Sequence, residues 1–336
     1  MKHAISGYRP RGQALAYLAW GVICVVWGTT FLANKIAIDT IPPLRLSAMR
    51  FLTAGLVLLG VVVLRKGGSA RVRGVPLRAG LVGVVTLGIG TGAVVWAQQW
   101  LPSGLTAVLT AVTPFWMVLI EAASPAGVRP TRRAVGGLVL GLCGILFIAS
   151  EQPPGSFRTD YLWAVGAVLA AGVAWSAGSI FTRHQQDGPH PLAVAGWQMV
   201  WAGAALFGAS ALAGEHLPEM PGLHGLVALA YLVVFGSCIA FVCYLYALRH
   251  LPVAFASTFT YVNPVIALWL GWLVLGERMT AAVLVATVLI LSGLLLTRSR
   301  RLRLPRVLKR RADRAARREG EPFVPCPEPA VPPRPR

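Results

Sequence analysis

Ten apolar stretches, each roughly twenty residues long, constrain this 336-residue chain more than any other feature. About 20 consecutive apolar residues of helix cross a bilayer core, where every backbone polar group must be satisfied within the segment. The stretches cover 14–33, 46–64, 79–101, 105–122 and 134–150, then 161–182, 192–213, 225–248, 253–275 and 281–297. The predicted fold is an all-α polytopic membrane protein with ten transmembrane helices. Pro102-Ser103-Gly104 divides the third stretch from the fourth, and Arg249-His250-Leu251-Pro252 divides the eighth from the ninth. A proline removes a helical hydrogen bond, so neither pair reads as one long helix. Charged residues are only 13% of the chain, about half the share in a soluble domain. The first stretch follows Lys2, Arg9 and Arg11, as a signal peptide would. Its apolar run is too long for one, and no Ala-x-Ala-like site ends it, so it reads as a retained helix.

Orientation follows from the basic residues, which concentrate on cytoplasmic loops. With the N-terminus inside, the inner face receives Lys2, Arg9, Arg11, Arg65, Lys66, Arg71, Arg73, Arg78, Arg129, Arg132, Arg133, Arg183 and Arg249. The outer face receives Lys35, Arg45, Arg158 and Arg278. Ten spans also bring the C-terminus inside, with the 13 Lys and Arg between Arg298 and Arg336. Nine or eleven would send that tail outside. The predicted arrangement is therefore N-in and C-in, in the cell (inner or plasma) membrane.

The formal charge of +19 then has an ordinary origin in loop topology and the tail. A basic tail sometimes binds nucleic acid. This one leaves a membrane helix, so anionic lipid headgroups are the better partner. Beyond Arg318 the tail is Pro-rich and has little apolar surface to bury, so it is predicted to be disordered. The five cysteines form no Cys-x-x-Cys pair, which indicates neither zinc nor a disulfide framework.

The stretches form two similar blocks of five. An offset of 148 residues aligns Trp27 with Trp175, Lys35 with Arg183, Pro43 with Pro191 and Ala54-Gly55 with Ala202-Gly203. An offset of 150 aligns Trp96–Pro102 with Tyr246–Pro252, and Thr113-Pro114 with Asn263-Pro264. An odd number of helices per block inserts the second block upside down. Inverted repeats place a substrate site at their interface near the bilayer midplane. The expected parts are a cytoplasmic segment 1–13, repeats over 14–150 and 161–297, and the tail 298–336.

At these residues the chain resembles the EamA-type members of the drug/metabolite transporter superfamily, which have two five-helix repeats. The resemblance covers residues 14–297. It rests on an ordered set: Trp27-Gly28, Pro43 with Arg50-Phe51, Tyr246-Ala247-Leu248 with Leu251-Pro252, Asn263-Pro264, Gly276-Glu277-Arg278 and Gly293. It implies a secondary transporter, often an exporter of metabolites or amino acids, working by alternating access. One departure stands out. The Gly-Glu pair that the family often carries after the fourth span is missing, and Gly127 stands at that position.

Ionisable groups inside a membrane are functional candidates by default. Arg50 lies about five residues into the second span, either as a cationic contact for a substrate carboxylate or as a snorkelling or structural residue. Glu121 reads as an interfacial partner for nearby arginines. Glu277 reads as a helix-end dock rather than a substrate contact. Among the deep aromatics, the repeat-matched Trp27 and Trp175 are the leading cavity-lining candidates, with Tyr244, Tyr246 and Tyr261 beside them. Trp96, Trp116, Trp201 and Trp269 are weaker ones. Thr29, Thr30, Gln98, Gln99, Thr113, Gln198 and Asn263 are polar groups that need partners when buried. Pro114 and Pro264 read as kinks, and the Gly88-x-x-x-Gly92 and Gly137-x-x-x-Gly141 pairs as internal packing sites.

The candidate substrate-binding set is Arg50, Trp27, Trp175, Gln98, Tyr246 and Asn263, for a compact, partly apolar solute. No span holds a chain of Asp, Glu and His, which favours facilitated diffusion or exchange over strong proton coupling. A membrane enzyme would need a Gly-x-Ser-x-Gly, His-Glu-x-x-His or acid-rich metal motif, and none is present. A scaffold or receptor would need a soluble domain or long loops, and the loops are short. No cofactor is expected. A monomer and a homodimer both fit.

Overall fold

The computed structural model describes residues 10–65, 76–123, 132–150, 159–184, 191–216, 221–251 and 253–297. Most of the expected N-terminal segment, the Gly127 position and the basic tail lie outside them. Among the described residues the fold is all-helical. Helices α1 (Pro10–Ile38), α2 (Pro43–Leu64), α3 (Leu77–Ala97), α4 (Ser103–Ala123) and α5 (Arg132–Ser150) make the first half. Helices α6 (Thr159–His184), α7 (Pro191–Leu212), α8 (Leu223–His250), α9 (Phe259–Leu275) and α10 (Ala281–Thr297) make the second. A helical turn, Val253–Ala256, precedes α9. Seven helices (α1 to α4 and α6 to α8) are long and apolar enough to cross a membrane, and α9 is a shorter apolar helix.

Prolines mark several of the starts. Pro43 and its repeat mate Pro191 open α2 and α7, and Pro102 precedes α4. At a first helical position the missing N–H costs nothing and the fixed φ is already helical. Gly276 ends α9 with φ +64°, the left-handed conformation that a glycine adopts at low cost past a helix end. Ala111 and Val112 interrupt α4 just before Pro114, and the Thr113 hydroxyl donates to Thr110 O at 2.6 Å there. Pro264 sits inside α9.

The main packing contacts are the same when the two halves are exchanged. Helix α2 packs on α7 and α5 on α10, while α1 packs on α8 and α9 just as α6 packs on α3 and α4. The α2–α7 contact shows the exchange at atomic detail. A methyl at Gly55 would lie 2.8 Å from Gly196 O, and one at its mate Gly203 would lie 2.7 Å from Leu52 N. Each glycine lets its helix meet the other's backbone, the usual solution where helices associate without a hydrophobic drive. Gly88 and Gly92 also face α7, at Ala202 and Leu206.

Helices α3 and α8 each contain a π-helical segment, Val84–Ile89 and Leu232–Ile239. The two end 150 residues apart, at the repeat offset. Such segments are rare and frequently sit at functional sites. The outer surface is apolar: Leu18, Val57, Leu273 and Val288 are exposed. An apolar exterior of this extent is a mark of membrane or protein contact.

Candidate functional site

A cavity of about 110 Å³ lies where α1, α2, α3, α4, α6, α7, α8 and α9 converge. An engineered cavity of roughly 150 Å³ holds a benzene-sized guest, so this space suits a compact solute. One face of α1 supplies Trp27, Thr30, Phe31 and Asn34. Their spacing of three and four residues puts them on a single helical stripe.

Arg50 reaches the cavity from α2 and is only 5% exposed. Its Nε donates to Ser237 Oγ at 2.8 Å, and its guanidinium carbon lies 5.1 Å from the Phe51 ring centroid. Among the described lining residues there is no Asp, Glu or His. Trp27 Nε1 donates to Gly236 O at 2.9 Å. Both acceptors, Gly236 O and Ser237 Oγ, belong to the π-helical segment of α8. That turn therefore carries two anchors for the first repeat.

Aromatic rings form the opposite character of the site. Trp27 meets Trp175 edge-on with centroids 5.4 Å apart, and meets Phe259 at 4.9 Å and Tyr244 at 5.2 Å. Edge-to-face pairs at these distances are favourable beyond their area. Tyr244 is fully buried behind them, its hydroxyl donating to Ser179 Oγ at 2.7 Å. Asn263, oriented by its hydrogen bonds, donates to Cys24 O at 3.1 Å and to Phe259 O at 3.0 Å. The site thus combines one buried cation, neutral hydroxyls and amides, and aromatic faces. Such a set of groups can offer a charge to an anion and aromatic faces to an apolar body.

Four of the six sequence candidates, Arg50, Trp27, Trp175 and Asn263, meet at this cavity. Gln98 and Tyr246 do not line it. Gln98 is fully buried at the end of α3, where its Nε2 donates to Phe31 O at 3.0 Å and its backbone carbonyl accepts from Lys35 Nζ at 2.6 Å. It ties α3 to α1. Tyr246 stacks on His250 with centroids 4.1 Å apart. Tyr261, Trp96, Trp116, Trp201 and Trp269 are also absent from the lining, and Trp269 is 59% exposed on the apolar exterior. Glu277 is a helix-end dock. Its carboxylate accepts from Ser103 N at 2.7 Å, Ser103 Oγ at 2.9 Å and Gly104 N at 3.1 Å, capping α4.

Sequence reasoning missed Asn34, Ser237, Phe241 and Phe259. Asn34 was findable from the stripe Trp27, Thr30, Asn34. It is 4% exposed, and its Oδ1 has no partner among the described residues.

Comparison with known proteins agrees with this architecture. The model of the EamA-like transporter family matches residues 15–150 and 162–299, one match per half. The uncharacterized inner membrane transporter YedA of Escherichia coli (strain K12) is 33% identical over 274 residues, covering 78% of this chain and 87% of that protein. A protein of Streptantibioticus cattleyicolor named a probable terminal-alkyne amino-acid exporter is 27% identical over 302 residues, covering 86% of this chain and 95% of that one. One solved crystal structure shares the fold, with a TM-score of 0.64 at 23% identity over 84% of this chain and 97% of that chain. A two-part family match over most of the chain, on a helical fold with an apolar exterior, makes this a multi-pass membrane transporter that belongs to the EamA-like transporter family.

Proposed function

We propose that this carrier moves small carboxylate-bearing, partly apolar solutes, amino acids among them, by alternating access at the cavity between its halves. The observation that carries the reading is Arg50: a buried guanidinium facing the cavity, with no carboxylate among the described lining residues. A permanently charged, planar donor matches a carboxylate in geometry and charge. The substrate's remaining part packs on Trp27, Trp175 and Phe259, and an ammonium group finds aromatic faces there. Asn263 lines the same cavity. Gln98 and Tyr246 fall outside the binding set, since neither lines the cavity. The amino-acid exporter name of the Streptantibioticus relative supports the substrate class and the outward direction.

In this reading all ten helices span the inner membrane, as two inverted repeats over 14–150 and 161–297, with both termini cytoplasmic. The tail from 298 onward rests on anionic headgroups. The basic residues of the inner loops and tail support that orientation.

The test is flux in proteoliposomes holding the full chain, with labelled L-alanine, L-threonine and L-leucine as probes. Saturable flux that falls at least tenfold in Arg50→Gln and Trp175→Ala is the expected result. Flux that is unchanged in Arg50→Gln, with the variant folded, overturns the carboxylate assignment.

A further inference from the structure

We propose that the carrier works as an exchanger: its cavity does not close empty, so one carboxylate must enter for each that leaves. The proposal rests on the substrate reading above and extends it to the coupling of the cycle. Three observations bear on it. Arg50 has a single hydrogen-bond partner among the described residues, the neutral hydroxyl of Ser237. A second polar group of the lining, Asn34 Oδ1, is buried with no hydrogen-bond partner among the described residues. The repeat mate of Arg50, 148 residues on, is Gln198, which is neutral, 1% exposed and bonded to Thr182 Oγ1 at 3.3 Å. The first half therefore brings a fixed charge to the site and the second half brings none.

The charge balance follows directly. While the cavity is open to one side, water solvates the guanidinium. Closing it empty removes that water and leaves a buried cation unpaired, a costly state. Closing it around a carboxylate replaces the water with a charge-assisted pair, and one fixed cation balances one carboxylate. Asn34 Oδ1 adds an acceptor that a solute can satisfy and an empty cavity does not. The loaded carrier closes readily and the empty carrier does not. Reorientation then waits for a second carboxylate. Loss of the charge at position 50 removes the obstacle to empty return along with much of the affinity.

The experiment uses the full chain in proteoliposomes with external labelled L-threonine or L-leucine, and compares empty vesicles with vesicles preloaded with the same unlabelled amino acid. The expected result is at least tenfold faster uptake into preloaded vesicles. Arg50→Lys, which keeps the charge, retains that ratio, and Arg50→Gln brings it to within twofold of one at whatever rate remains. Equal uptake into empty and preloaded vesicles by the unmodified protein overturns exchange and leaves the carrier reading standing. Flux of neither probe under either loading removes the substrate reading, and the exchange proposal with it. The ratio for the unmodified protein decides the question even if Arg50→Gln fails to fold.

Discussion

Replacing Glu277 with alanine removes one carboxylate and three hydrogen bonds at once. The carboxylate spans the 103–104 backbone: Ser103 N, Ser103 Oγ and Gly104 N all donate to it. Loss of a helix N-cap costs about 0.5–2 kcal/mol. Hydrogen bonds to a charged group contribute about 1.5–3 kcal/mol each, although a partly exposed site recovers some of that from water. The expected net loss is about 2–3 kcal/mol, read as a fall in unfolding free energy when SDS is titrated into mixed micelles. Glu277→Gln keeps one acceptor oxygen but turns its amide toward an N–H donor, so it falls between, near 1 kcal/mol. Ser103→Ala removes only the hydroxyl donor and costs about 1 kcal/mol. The pair Glu277→Ala and Ser103→Ala is then non-additive by a similar amount, because both changes delete the same bond. A Glu277→Ala variant within about 0.5 kcal/mol of the unmodified protein, yet defective in flux, refutes the docking role and moves Glu277 into the transport cycle.

Three further outcomes follow from the packing. Gly203→Val forces a branched side chain onto the Leu52 backbone and should cost at least about 1–3 kcal/mol of overpacking, measured in the same SDS titration. Trp27→Phe keeps an aromatic ring at the centre of the cluster but deletes the donor to Gly236 O. It should cost about 1 kcal/mol and slow flux, read by titration and by proteoliposome uptake. Trp269→Ala, on the exposed exterior, should leave both stability and flux within error of the unmodified protein; a tenfold flux loss there would place that face at a functional contact.

Much of the helical framework was legible because it follows from local rules. The apolar stretches, the starts at Pro43 and Pro191, and the glycine at the end of α9 each act over a few residues. The matched glycines Gly55 and Gly203 also found their places, since close helix contact needs small residues wherever it occurs. The site was only partly legible, for two physical reasons. Helix α1 runs to Ile38, past the apolar stretch that ends at Ala33, so Asn34 lies beyond the bounds of the predicted span. Gln98 and Tyr246 both lie beyond a π-helical segment. A residue advances about 100° around a helix, and a wider turn shifts the phase of everything after it. The repeat alignment therefore pairs positions along the two halves but says nothing reliable about which way they point. Arg50 was found because a lone intramembrane cation needs no phase argument.

The bond from Trp27 to Gly236 has an evolutionary side. Its acceptor is a main-chain carbonyl, and a carbonyl is present whichever residue occupies position 236. Substitutions along α8 can change the ring of side chains around the solute without deleting this attachment, provided the wide turn persists. In this fold the lining of the cavity and the joint between the halves are thereby separable. Position 86, which the repeat offset pairs with Gly236, already holds threonine in the corresponding turn of α3. Both halves thus form a wide turn at this place, although the residues that build it differ.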